Sequence, residues 1–114
     1  MKRDIDEVLK LIEKRRDAII EFLRDLISFP SVTGDEFEIQ KFIAHKLESM
    51  GLAVDMWEPD HEELKKHPAY VPVERGYTNR PNVVGIYKGT GNGKSLLFNG
   101  HVDVIPPGDR KSVV

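Results

Sequence analysis

The sequence predicts an α/β fold with helices covering both sides of a sheet, and three observations carry that expectation. Apolar residues recur at helical spacing through residues 4–50. Short runs rich in β-branched and aromatic residues follow Gly51 directly. The run around Phe98 is apolar at consecutive positions, the pattern of a strand buried on both faces.

The first helix is expected over about 4–29. Ile5, Val8, Leu9, Ile12, Ile19, Phe22, Leu23 and Leu26 make one apolar stripe, with charged residues such as Glu13 to Asp17 opposite. Ser28-Phe29-Pro30 ends it, because the residue before proline is pushed out of the helical region. The second helix is expected over about 33–50. Thr33 is placed at its N-cap, Glu36 returns the hydrogen bond of a capping box, and Val32 with Phe37 forms a hydrophobic staple. Ile39, Phe42, Ile43, Leu47 and Met50 are expected to be buried, and Gly51 to stop the helix. A strand over about 52–57 follows. Residues 58–81 are charged, contain Pro59, Pro68, Pro72 and Pro81, and read as an irregular excursion with one helical turn near 62–66. Strands over about 82–88 and 95–101 come last. The glycine-rich turn Gly89 to Gly93 predicts that these two form an antiparallel hairpin.

Composition narrows the class. The 114 residues suit one domain, with 17 basic and 19 acidic side chains and a net charge of −2. That balance offers no general attraction to nucleic acid or to an anionic membrane. Without cysteine, disulfides and thiolate metal sites are excluded, so histidine and carboxylate are the strong ligands available. The first residues turn acidic where a signal peptide needs its apolar core, and no apolar run reaches the roughly 20 residues of a membrane span. A cytoplasmic protein is expected.

Most motifs have plain explanations. Gly93-Lys94-Ser95 matches the end of a phosphate-binding loop, but Lys88 stands where its first glycine belongs and a strand follows instead of a helix. His45 sits among the polar residues of the second helix, and His61 and His67 lie in the excursion; all three are expected at the surface. The excursion itself is a candidate border of a substrate entrance. Arg80-Pro81-Asn82 reads as a strand entry and is assigned no chemistry.

His101 and Asp103 are the candidate site. Residues i and i+2 of a strand face one side, so both side chains share a pocket at the strand's C-terminal end, and Pro106-Pro107-Gly108 then forms a stiff rim. A neutral imidazole ligates metals and a neighbouring carboxylate orients its ring. The same two residues equally describe a satisfied histidine at a strand end, and spacing alone leaves both readings open.

Arg80 to Val84, the glycines 89–93 and the block Ser95-Leu96-Leu97-Phe98-Asn99-Gly100-His101-Val102-Asp103-Val104-Ile105-Pro106-Pro107-Gly108-Asp109 resemble the first metal-binding block of a metallohydrolase family. This is the family of aminoacylases, acetylornithine deacetylases, succinyl-diaminopimelate desuccinylases and carboxypeptidase G. The lead-in helices and Ser28 to Val32 resemble it too, and the deacetylase and desuccinylase branch, with its link to arginine biosynthesis, is the most similar. The resemblance implies the N-terminal part of a three-layer α/β/α catalytic domain with a mixed sheet. It implies two zinc or cobalt ions about 3.5–4 Å apart, with His101 as a ligand of one and Asp103 as the carboxylate orienting that ligand. The substrate class it implies is a small N-acyl amino acid, whose amide is cleaved by metal-activated water.

The remaining ligands of that family, a bridging aspartate, a Glu-Glu pair, a further carboxylate and a distal histidine, have no counterpart before Val114. The expectation is therefore a truncated N-terminal segment, 1–114, that binds no metal stably and is inactive alone. The rival expectations are a small self-associating binding or assembly module, joined through an exposed sheet edge, and a dimer sharing a metal between two copies of His101.

Overall fold

A computed structural model of the chain describes residues 2–108, with side chains from residue 4 onward. Asp109, the last residue of the matching block, lies outside the described residues. The chain forms two compact units, residues 1–30 and 31–114.

The first unit is helical. The single helix expected over 4–29 is two, α1 (Lys2–Lys14) and α2 (Arg16–Ser28). Arg15 separates them with φ −96° and ψ 3°, and its N–H is shared between the carbonyls of Leu11 and Ile12 at 3.2 and 3.0 Å. That sharing tightens one turn towards 3₁₀ geometry without breaking the hydrogen-bond ladder. The apolar stripe is present, with Phe22 and Leu26 half-buried and Ile5, Leu9, Ile12 and Leu23 exposed.

The second unit begins with a turn where a helix start was expected. Helix α3 runs Phe37–Ser49 and does not begin at Thr33. Gly34 has φ +106°, outside the helical region, so no helix can pass through it. The capping box is absent as drawn: Glu36 accepts from the Gly34 N–H at 2.8 Å, and the Thr33 hydroxyl points elsewhere. The N-cap is Glu36 and not Thr33, so Val32 and Phe37 do not stand at the positions a hydrophobic staple needs. The end of α3 is as expected. Gly51, at φ +83°, donates to Glu48 O at 2.9 Å and Leu52 donates to Leu47 O at 3.1 Å, the two bonds of a Schellman motif. Ile39 and Ala44 are buried and Phe42, Ile43 and Leu47 half-buried, while Met50, expected inside, is exposed.

Strands β1 (Ala53–Trp57) and β2 (Asn82–Ile86) pair antiparallel, with Val54 opposite Gly85 and Met56 opposite Val83. These four residues are the half-buried ones, and α3 lies against both strands. The approach is close at Gly85, where a β-carbon would stand 3.0 Å from methyl groups of Leu47 and Leu52. On the other face Trp57, Val84 and Ile86 are exposed, so among the described residues of this second unit the sheet carries helix cover, α3, on one face. Between the strands, α4 (His61–Leu64) is the expected helical turn, capped by Asp60, whose carboxylate accepts from the N–H groups of Glu62 and Glu63 at 2.9 and 3.2 Å.

The predicted hairpin of 82–88 with 95–101 does not form. β2 pairs with β1, and residues 95–101 join no sheet. Leu97 and Phe98, expected to be buried on both faces, are 85% and 87% exposed. The glycine-rich connection is too long and too free to set a register by itself, and a strand without neighbours keeps its apolar side chains in water.

Candidate functional site

The site rests on the segment that replaced the helix start. Val32 and Val104 form an isolated parallel bridge: Val104 N donates to Ser31 O at 2.9 Å, and Thr33 N to Val104 O at 3.2 Å. Ser31, only 2% exposed, adds a hydroxyl bond to Val102 O at 2.9 Å. Residues 102–104 are thus held along 31–33 by backbone bonds, which gives the 101–103 stretch a fixed place without a strand.

His101 and Asp103 are brought together there. His101 Nδ1 lies 2.9 Å from Asp103 Oδ1 and 3.1 Å from Asp103 O. An ionised carboxylate and a carbonyl only accept, so in the neutral ring Nδ1 carries the proton and Nε2 keeps its lone pair. The imidazole is 85% exposed. The second oxygen, Asp103 Oδ2, accepts from the Thr33 hydroxyl at 2.7 Å. The Thr33 hydroxyl, followed by His101, holds the Asp103 carboxyl below the usual carboxylate range and so keeps it ionised.

His101 and Asp103 edge a cleft of about 610 Å³ whose wall includes Trp57, Asp60, Glu63, His67 and Tyr77. The excursion over 58–81 therefore does border the space beside His101. Its own histidines are occupied locally. His61 Nε2 lies 2.8 Å from the Tyr70 hydroxyl and its ring meets Tyr77 edge-on at 5.4 Å, so it is half-buried packing and not the surface residue expected. His67 is exposed, and its Nδ1 accepts from Ala69 N at 3.1 Å, which puts the proton of the neutral ring on Nε2. His45 is exposed on α3.

Arg80, assigned no chemistry from sequence, is the strongest polar anchor of the unit. Its Nε and Nη2 each reach a carboxylate oxygen of Glu36 at 3.0 Å, and Nη1 donates to Gly76 O at 2.9 Å. Burial pushes the Glu36 carboxyl up, but the bonds from Arg80 and the Gly34 amide outweigh this and leave it lowered. Gln40 adds a bond to Pro81 O at 3.0 Å. Arg75 binds Asp35 at 2.9 Å and Thr33 O at 3.1 Å, so two arginines of the excursion tie down the loop that carries Thr33. The signal available in the sequence was Gly34, a poor residue for a first helical turn, which argued against the capping box.

As a metal ligand set the arrangement is partial. His101 Nε2 suits one coordination position, with its ring already oriented through Nδ1. Among the described residues no three His, Asp or Glu side chains stand close enough together to hold an ion.

Comparison with known proteins places this geometry in context. The chain is 34% identical over 91 residues, 80% of its length, to a succinyl-diaminopimelate desuccinylase of Nitratiruptor sp.. It is 33% identical over 94 residues to a protein of that name from Methylocella silvestris, covering 82% of this chain. It is also 36% identical over 84 residues, 74% of the chain, to a protein of Emericella nidulans named as a probable carboxypeptidase. These stretches are 19%, 20% and 16% of the relatives, so the chain spans about a fifth of the length of the curated relatives it matches. No protein-family model and no solved structure gives a significant match.

Proposed function

From the premise that this chain belongs, as an N-terminal portion, to the family of the succinyl-diaminopimelate desuccinylases and related carboxypeptidases, we propose that it forms the first part of an amidohydrolase catalytic domain. The substrate class is a small N-acyl amino acid. The observation that carries the reading is the 2.9 Å contact of His101 with Asp103 on the wall of the cleft. The three-layer domain and the cytoplasmic location belong to the same proposal; no described helix is long and apolar enough to cross a membrane.

A zinc or cobalt ion, when bound, supplies Lewis-acid polarisation of the acyl carbonyl and of a water. The residues of this chain do the preparatory work. His101 offers Nε2 as one ligand. Asp103 takes the hydrogen bond from Nδ1, which fixes the tautomer and makes the imidazole a better donor. Thr33 occupies the second carboxylate oxygen, and the excursion walls the cleft in which an acyl chain would lie.

Cobalt(II) added to the isotopically labelled chain tests the ligand assignment. Paramagnetic broadening is expected first at the His101 ring and lost in His101→Ala; equal broadening at His45 or His67 would sink the assignment. With one oriented donor among the described residues, the 114-residue chain is expected to turn over neither N-succinyl nor N-acetyl amino acids when zinc or cobalt is supplied. Turnover above the metal-only background would overturn that expectation.

A further inference from the structure

We propose that Thr33 is a positioning residue for the His101–Asp103 pair, and that its hydroxyl, acting through Asp103, keeps the imidazole proton on Nδ1. This deepens the functional reading above and rests on it. Thr33 lies far from the pair in sequence, and its natural local role, capping α3, is left unused because Gly34 turns the chain away at φ +106°. Its hydroxyl donates instead to Asp103 Oδ2 at 2.7 Å. A carboxylate is planar, so fixing Oδ2 also fixes Oδ1, which faces His101 Nδ1 at 2.9 Å.

The backbone of Thr33 is itself held from two sides. Its N–H donates to Val104 O at 3.2 Å, and its carbonyl accepts from Arg75 Nη1 at 3.1 Å. Arg75 also grips Asp35, and Glu36 two residues beyond Gly34 is locked by Arg80. The hydroxyl therefore reaches Asp103 from a framed loop. His101 is exposed, with no packing of its own to select a tautomer, so selection falls to its two acceptors, Asp103 Oδ1 and the Asp103 carbonyl at 3.1 Å.

The test reads the imidazole nitrogens directly, by long-range ¹H–¹⁵N correlation on the metal-free 114-residue chain at a pH where its histidines are neutral. In the parent chain His101 is expected as the Nδ1–H form. Thr33→Val removes the hydroxyl at nearly constant shape and is expected to lower the Nδ1–H to Nε2–H ratio about five-fold, the weight of one ordinary hydrogen bond. Thr33→Ser is expected to keep the parent ratio, and the His61 and His67 tautomers should not move in either variant. An unchanged His101 ratio in Thr33→Val, with native amide shifts at 102–104, overturns the proposal. Loss of the ratio in Thr33→Ser as well overturns it too, since methyl packing and not the hydroxyl would then be responsible. If Thr33→Val disturbs the 102–104 amides, Thr33→Ser decides alone on the same criterion. No metal and no turnover enter this measurement. Failure of cobalt to find His101 would therefore count against the functional reading and leave the role of Thr33 standing.

Discussion

Glu36 is 7% exposed and Arg80 is little more accessible, so their two parallel hydrogen bonds are made largely out of water. Removing one partner from such a pair leaves a buried charge without compensation, which costs more than the pair contributes. Arg80→Ala is therefore expected to destabilise the chain by about 3 kcal/mol in urea unfolding. The pH dependence has a definite sign. The folded Glu36 carboxyl titrates below its ordinary value of 4.5, so its stabilising contribution is complete above that value and is lost as the pH falls through the lower folded one. The urea midpoint should drop on acidification below about pH 4.5, and Glu36→Gln should flatten that drop while lowering the midpoint at neutral pH. A parent chain and variant with the same acid slope would show that Glu36 does not drive it. Gly34 adds a backbone constraint at the same loop. An alanine there must adopt φ +106° and bring its β-carbon to 2.5 Å from the Arg75 guanidinium. Arg75 is exposed and can swing away, but only by releasing Thr33 O and Asp35, so Gly34→Ala is expected to cost at least the backbone strain, about 1–2 kcal/mol in thermal or urea unfolding.

At the scale of elements, the contact between α3 and the sheet turns on one residue without a side chain. Gly85 faces Leu47 and Leu52, and a β-carbon there already meets their methyls at 3.0 Å. Gly85→Val would have to lift α3 or twist both leucines, so it is expected to cost about 1–3 kcal/mol, measured as a fall in the urea midpoint with the slope unchanged. Elements whose signals are local were legible in the sequence: the body and glycine stop of α3, strands β1 and β2, and the single turn of α4 behind Asp60. The His101–Asp103 contact was legible as well, because two residues apart they needed no distant partner. What failed depended on long-range competition. Thr33 and Glu36 carried the letters of a capping box, but an aspartate 70 residues on and an arginine 44 residues on took their side chains. No local pattern reports such partners. The hairpin failed for a related reason. Strand propensity over 95–101 says that a strand fits there, not which edge it finds.

For the molecule as a whole, the unpaired stretch over 95–101 is the feature with consequences in solution. Leu96, Leu97 and Phe98 are 78%, 85% and 87% exposed in succession, on a segment with strand propensity, and the two-stranded sheet formed by the described strands has open edges of its own. Three consecutive apolar side chains in water favour any arrangement that buries them, and a second copy of the chain presents the same surface. The chain is therefore expected to self-associate, with a weight-average mass that rises with concentration in size-exclusion chromatography coupled to light scattering. The apolar stripe of α1 and α2 is a second exposed surface, so the mutations must separate the two. Phe98→Lys places a charge on the unpaired segment and should shift the chain towards monomer, whereas Leu9→Lys on α1 should leave association in place. A monomer at every concentration would refute self-association outright. Association abolished by Leu9→Lys but not by Phe98→Lys would assign it to the helices. In that case the open 95–101 segment is not the surface that draws copies together, and its exposure has no bearing on assembly.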